Sequence, residues 1–507
     1  MLKKAEAYWP LILLLAITKF ILPLFLQDPV FELQRDEFLY YQQGQHFALG
    51  YLENPPLIGY LAMISSWFGG SEAWVKLWPC LFGAATVVVT CLITVELGGK
   101  LFAQFIAGLS IITGAFLRMN FLFQPNMLDI FFWTLSMYFI IRYINDKEDK
   151  FLNGFVLSLA IGFWGKYSIA FIAISIVISL LLSQHRKIFL QKKLYIAALI
   201  GLVIILPNVW WQYQHNWPLI HHMKELQETQ LKYMNPKGFL TDQLMMFMAT
   251  IAIWIAGLVW FLKNKKWHFL AFTYLIVIVL LILGRGKSYY AVGIYPMLFA
   301  AGAVAWEQWT TKRNWIRYTI SLLIIGITYV LLPMSLPIWK PERLASFYKK
   351  YGIEHKWEDQ KNHDLPQDFA DMLGWKELTE KTKKFFYSNP VKSNSIIFCR
   401  NYGQAGALNF YGKDFYFSYR VISDNGSFLL WIPNRLWMKN IILISNRLPD
   451  KDEEVFQHFE KVTVIDSVTN PMSRQYGDKI IFFENIDSIG LKLAQEGLKD
   501  MKKQFIR

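Results

Sequence analysis

From residue 9 to about residue 333 the chain alternates long apolar runs with short, charge-rich interruptions. Helical runs of about 17–25 apolar residues can cross a hydrocarbon core of about 30 Å. The pattern predicts about eleven spans, the number expected when each such run crosses once. They fall at 9–26, 72–97, 101–118, 125–143, 151–165, 167–183, 194–213, 241–262, 267–284, 289–309 and 315–333. The fifth and sixth are separated only at Gly165 and Lys166, where one broken helix is the alternative. Residues 55–68, behind Pro55 and Pro56, form a shorter apolar piece whose length suits an interfacial or re-entrant segment.

The rhythm changes after the Pro-spaced stretch "LPMSLPIWKPE", which reads as a stiff linker. Apolar runs shorten to strand length in "SIIFC", "NIILIS", "KVTVID" and "KIIFF". The stretches "DEEVFQHFEK" and "LKLAQEGLKDMKKQF" have helical patterning. Strands interleaved with helices predict a small α/β domain. The expected fold is therefore a polytopic α-helical membrane protein over 1–337, with a first outer loop at 27–71, followed by a soluble extracytoplasmic α/β domain over 338–507. No repeat of 20–50 residues and no low-complexity tract is present.

Composition agrees with this class. The chain has 507 residues, 54% of them hydrophobic and 17% aromatic, which excludes a disordered protein and argues against an ordinary soluble enzyme. The net charge of +14 does not call for nucleic acid, because surplus Lys and Arg in a multispanning protein gather in cytoplasmic loops. A cytoplasmic N-terminus puts "KK", "GGK", "RYINDKEDK", "SQHRKIFLQKK", "KNKK" and "TKRNWIR" inside. An odd number of spans then puts "QRDEFLYY" and everything after about residue 337 outside. Lys3 and Lys4 precede the first run with no small-residue cleavage site, so that run reads as a retained helix. Cys80, Cys91 and Cys399 have neither disulfide-framework nor metal-type spacing.

Candidate chemistry gathers at the outer ends of the spans. In "QRDEFLYY", a helix over 36–49 would put Asp36 and Tyr40 on one face, with Glu37 and Tyr41 on the next. A partly desolvated carboxylate beside a phenol can take a proton from a bound hydroxyl. The same acids also suit the N-terminus of an interfacial helix. Glu53 and Asn54 precede the Pro pair, a sequence that also makes a plain turn. Asp129 enters a span beside Gln124, Pro125 and Asn126, where an ionisable group needs a partner or a polar cavity. Lys166 interrupts an apolar region, and Arg285 and Lys287 stand beside Tyr289 and Tyr290. Cations on the outer side ask for an anion, and a lipid phosphate at headgroup depth fits their donors. Interfacial anchoring by Tyr and Lys is the alternative. His215, His221 and His222 share a loop without acidic residues at ligand spacing, a weak metal signal.

The stretches "RDEFLYYQQGQHFALGYLENPPLIGY", "QPNMLDIFFWTLSMY", "GKSYYAVGIYPMLFAAGA" and "NYGQAGALNFYG", in this order, resemble the C-type-fold membrane glycosyltransferases that use polyprenyl-phosphate sugars. The likeness is to bacterial relatives of the protein O-mannosyltransferases and to the lipid A aminoarabinose transferases. It implies a multi-pass protein of a bacterial-type inner membrane that transfers a sugar to a lipid, glycan or protein hydroxyl on the outer face, with inversion. It implies Asp36 as the catalytic acid–base position with Glu37 beside it, Tyr40 in the pocket and Glu53 before the Pro step. Asn54 departs from the Lys of the aminoarabinose branch, which shifts phosphate binding to Lys166, Arg285 or Lys287. Asp36, Glu37 and Glu53 could ligate a divalent cation, though their spacing does not require one. The stretch "NYGQAGAL" would form the first strand-to-helix turn of the outer domain, where Gly403 and Gly406 let backbone approach a ligand or make a tight turn. The rival readings are a transporter or polyprenyl-lipid flippase with Asp129 and Lys166 along its path, and a structural membrane subunit.

Overall fold

A computed structural model of the chain describes residues 6–450 and 452–505; Lys3 and Lys4 lie outside them. The apolar runs form helices α1 (Trp9–Leu26), α2 (Arg35–Gln43), α3 (Leu57–Trp67), α4 (Glu72–Glu96), α5 (Leu101–Ile112), α6 (Ala115–Met119), α7 (Pro125–Asp146) and α8 (Asp149–Gly165). There follow α9 (Ile169–Leu181), α10 (Lys192–Gln214), α11 (Pro218–Thr229), α12 (Pro236–Met246), α13 (Ile251–Lys263), α14 (His268–Leu283), α15 (Tyr295–Trp309) and α16 (Asn314–Ser335). Among the described residues, six helical segments are individually long and apolar enough to cross a membrane, or seven if the bent pair α12–α13 counts as one span. The expected span 101–118 breaks into α5 and α6 at Thr113 and Gly114, and the run 241–262 bends by 70° between α12 and α13. Residues 149–181 form two helices meeting at Lys166. The expected helix over 36–49 stops at Gln43.

Close helix crossings rely on small residues. A Cβ on Gly302 of α15 would stand 1.8 Å from the Ile253 carbonyl of α13, and one on Gly257 would stand 2.0 Å from the Leu298 carbonyl. Backbones approach this closely only where no side chain intervenes. Along α4, Thr86, Thr90 and Thr94 each donate to the carbonyl four residues earlier, so their hydroxyls are satisfied inside an apolar bundle.

After α17 (Pro341–Lys350) comes a two-residue hairpin, β1 (His355–Lys356) and β2 (Asn362–His363), then α18 (Gln367–Ala370) and α19 (Trp375–Ser388). The rest comprises β3 (Ser395–Cys399), α20 (Tyr402–Gly412), α21 (Phe415–Ser418), β4 (Val421–Ser423), α22 (Phe428–Trp431), β5 (Asn440–Ser445), β6 (Phe459–Ser467), β7 (Lys479–Ile486) and α23 (Ser488–Lys503). The five-stranded sheet has the order β4-β3-β5-β7-β6, parallel on the β4-β3-β5 side and antiparallel beyond it. Both faces of β5 are buried, which is why it reads as an unbroken apolar run. Edge strand β6 alternates exposed and half-buried residues and is rich in charge, which discourages pairing with another chain. The patterning of "DEEVFQHFEK" misleads: only Glu454–His458 makes a short 3-10 turn, and the following residues enter β6, where cross-strand pairing with β7 overrides local helical preference.

Helix α2 joins the two regions. Phe38 is fully buried and meets Trp375, Phe410 and Tyr411 edge-on at ring-centroid separations of 5.4, 5.9 and 5.6 Å. Gly406 of α20 makes room for it, since a Cβ there would lie 2.7 Å from the Phe38 Cβ. Gly403 likewise faces Arg35 at 2.5 Å. These glycines serve the packing of α20 on α2 rather than ligand approach. Glu32, just before α2, accepts the amides of Trp375 and Lys376 at 2.8 and 3.1 Å and so caps α19. Phe38→Ala is expected to cost about 3–5 kcal/mol, the range for deleting a buried aromatic. Limited proteolysis should then release the region after residue 340 at a lower temperature than in the wild type.

Candidate active site

Helix α2 starts with reciprocal capping: the Asp36 amide donates to Gln34 Oε1 at 2.9 Å, and the Gln34 amide donates to Glu37 Oε2 at 2.7 Å. The two neighbouring carboxylates then take opposite directions. Glu37 is wholly buried and accepts Lys76 Nζ at 2.7 and 2.8 Å and the Phe123 amide at 2.6 Å. Asp36 faces a cavity of about 1100 Å³. Its Oδ1 accepts the Tyr402 hydroxyl at 2.7 Å and Arg35 Nε at 3.2 Å. Its Oδ2 has a longer contact, 3.3 Å, with Gln124 Nε2. Burial first, and then the Asp36 carboxylate, push the Tyr402 phenol well above its ordinary range, so Tyr402 remains the donor.

Across the cavity stand Lys166, Lys287, Tyr289 and Tyr290. Lys166 Nζ donates to Asn126 Oδ1 at 2.7 Å and lies 4.4 Å from the centroid of the Tyr290 ring. Lys287 Nζ lies 5.9 Å from the Tyr289 ring, and among the described residues it has no hydrogen-bond acceptor. Burial lowers the Lys287 pKa even though Glu358, Asp36 and Asp368 pull it upward. The cavity continues into an apolar wall that includes Met119, Met223, Met245, Met246 and Met334, flexible side chains that adapt to an irregular ligand. The region after residue 337 supplies Glu358, Asp368 and Tyr402 to the lining. The space therefore combines the Lys166–Lys287 cations, the Asp36 carboxylate with further acids beside it, and an apolar wall.

The family model described as dolichyl-phosphate-mannose-protein mannosyltransferase matches residues 53–211. The lipid A galacturonosyltransferase RgtD of Rhizobium johnstonii is 26% identical over 197 residues, which are 38% of this chain and 41% of that relative. The match thus spans about two fifths of the curated relative's length. Among solved structures, ArnT from Cupriavidus metallidurans bound to undecaprenyl phosphate has a TM-score of 0.60 at 11% identity, covering 96% of this chain and 99% of that one. The Archaeoglobus fulgidus oligosaccharyltransferase in complex with Zn and sulfate has a TM-score of 0.53 at 12% identity, covering 86% of this chain and 68% of that one. The chain shares its fold with these membrane glycosyltransferases, and residues 53–211 are similar to the mannosyltransferase family.

Within this C-type fold, Asp36, Tyr40, Glu53, Asn54, Lys166, Lys287, Tyr289 and Tyr290 all line the one cavity. Three of the expected site residues do not. Glu37 is turned inward into its ion pair, because the residue after Asp36 on a helix points about 100° away. Asp129 is buried in α7 next to Lys166, Ser168 and Trp133, where it balances the lysine charge from behind the lining. Arg285 lines a neighbouring groove. Glu53 and Asn54, though in the lining, are already engaged. Glu53 accepts the Ser427 amide at 2.6 Å and its hydroxyl at 2.5 Å, and Asn54 exchanges amide hydrogen bonds with Gln43 at 2.9 and 3.0 Å. The donor set does not fit a divalent cation, since Glu37 and Glu53 are committed to protein donors. Among the described residues no group of three or more His, Cys, Asp or Glu could hold one. His215 stacks on Trp211, His221 meets Phe505 edge-on, and His222 lines the cavity.

Sequence reasoning missed Arg118, Glu358 and Tyr402, and gave Arg35, within "QRDEFLYY", no role of its own. Arg118 donates to the Met334 carbonyl at 2.7 Å and pairs with Asp368 at 3.3 Å; its one signal was a charge at the end of an expected span. Tyr402 stood inside "NYGQAGAL", but a phenol from 366 residues away has no local mark. Glu37→Gln is expected to destabilise the protein by about 3–5 kcal/mol, because it leaves Lys76 buried without its counter-charge. Thermal unfolding in detergent reads that loss, and Glu37→Leu with Lys76→Met should recover most of it.

Proposed function

We propose that this protein transfers a sugar from a polyprenyl-phosphate-linked donor to a hydroxyl acceptor on the extracytoplasmic face of a bacterial-type inner membrane, with inversion. The observation that carries this reading is that Asp36, Lys166 and Lys287 line one cavity that also has an extended apolar wall. The isoprenoid chain lies along the methionine-rich wall, and the phosphate lies against Lys166, Lys287 and the Tyr289–Tyr290 phenols. Asp36 accepts the proton of the acceptor hydroxyl. The acceptor oxygen bonds to the anomeric carbon as the bond from that carbon to the phosphate oxygen breaks. The electron pair leaves with the phosphate, whose growing charge the two ammonium groups stabilise. Tyr402 and Arg35 hold Asp36 in place through Oδ1, and Oδ2, which has only the long Gln124 contact, takes the substrate proton. The lipid bound to ArnT, undecaprenyl phosphate, is the carrier part of such a donor, and the sugar transfer in the name of the Rhizobium relative supports the same class of reaction. In this reading residues 1–337 form the membrane unit and 338–507 an outer domain that roofs the site.

Asp36→Asn is expected to lower transfer by at least about 10²–10⁴-fold, the usual contribution of a positioned base. It should leave folding and membrane insertion unchanged. Release of radiolabelled sugar from polyprenyl-phosphate donors by the purified protein measures this, and wild-type turnover in the variant would overturn the assignment of Asp36. Movement of the intact donor between leaflets, without release of sugar, would favour a flippase instead.

The depressed Lys287 pKa sets a pH dependence. Its charge is lost in a lower pH range than that of an exposed lysine. The KM for donor should therefore rise as pH increases through that range, and Lys287→Arg, which keeps its charge, should flatten the rise.

A further inference from the structure

Helix α11 separates two spaces. His222 and Leu226 face the active cavity, whereas Ile220, Lys224 and Gln227 face a second groove of about 760 Å³, closed on its other side by the end of α14. Leu219, Met223, Leu231 and Gly284 line both spaces and form the partition. The groove is built for an amphiphile. Ile220 and Leu283 are 63% and 75% exposed and give it an apolar wall, and Lys224 and Arg285 are its charged groups. The acids of the same helix, Glu225 and Glu228, line neither space. Among the described residues, the Arg285 side chain has no hydrogen bond and no ion pair. Its backbone is strained: φ is 51°, a left-handed conformation that favours glycine, and the turn is held by the Gly286 amide donating to the Leu281 carbonyl at 2.7 Å. Glycine stands on both sides of this position but not at it. A strained, unpartnered arginine directed to an apolar groove implies a ligand that repays the strain.

We infer that this groove binds an anionic membrane lipid with an uncovered phosphate headgroup, with Arg285 and Lys224 on the phosphate and an acyl chain along Ile220 and Leu283. The inference is independent of sugar transfer. Arginine presents a planar fork of donors to phosphate oxygens, and Lys224 adds a second positive charge. The groove ends at the partition with the active cavity, so a lipid held there has its headgroup next to the reacting groups without entering the donor's space.

The test is native mass spectrometry of the full chain in neutral detergent, titrated with dioleoylphosphatidic acid or with dioleoylphosphatidylcholine. The wild type should retain phosphatidic acid at least tenfold more tightly than phosphatidylcholine. Arg285→Gly should remove that preference by tenfold or more while leaving the thermal midpoint unchanged or raised, because glycine relaxes the left-handed position. Lys166→Ala, in the active cavity, should keep the preference. Three results would overturn the proposal: a preference that survives Arg285→Gly, one lost in Lys166→Ala instead, or complete displacement of the lipid by an equal concentration of inorganic phosphate.

Discussion

A buried carboxylate turned away from the chemistry organises this site. Glu37 takes hydrogen bonds from Lys76, from the Phe123 amide and from the amide of Gln34, all out of water. An unpaired charge in that place would be very costly, so the pair locks α2 against α4 and against the turn before α7. With the rotation of α2 fixed, Asp36 has one direction left to it, and that direction is the cavity. The preceding residue, Arg35, then reaches Glu358 and the Tyr402 ring, and Phe38, two residues after Asp36, fills the contact with α19 and α20.

The region after residue 337 is therefore more than an appendage. Its core is continuous with that of the helices through Phe38, Trp375 and Leu408. A second apolar cluster joins Phe31, Phe121 and Leu122 to Leu344, Tyr348 and Phe369. Polar clamps act beside these contacts, with Glu32 capping α19 and Glu53 holding the Ser427 turn. Since Tyr402 holds the Asp36 carboxylate, movement of this region relative to α2 would be felt at the site. The roof and the carboxylate are mechanically one unit.

Charge is sorted by depth and by partner. Asp129 lies buried behind Lys166, whose ammonium group bonds Asn126, while Lys76 is matched by Glu37 and Arg118 by Asp368. Lys287 in the cavity and Arg285 in the adjoining groove stand apart from this sorting, two residues apart in sequence but facing different spaces. The left-handed turn at Arg285 is what divides them. A chain that continued in helical conformation through Gly284 and Gly286 would not open two cationic sites around one helix end.

Much was legible in the chain itself. Apolar runs must become helices where water is absent, so Trp9–Leu26, Glu72–Glu96 and Asn314–Ser335 follow from composition and length. Strand β5, buried throughout, and the largely buried β3 and Ile480–Phe483 of β7 announced themselves as short apolar runs, and Asp36, Tyr40, Lys166 and Lys287 stood out as polar residues at helix ends. Local pattern misjudged "DEEVFQHFEK", because pairing with β7 is a long-range contact. It also could not separate Asp36 from Glu37, which are adjacent and chemically alike. Only packing could decide between them, since a helix turns neighbouring residues about 100° apart and the bundle offers one of them an ammonium and the other a cavity. The same holds for Tyr402, whose distance along the chain from Asp36 is erased only when α20 packs on α2 through two glycines.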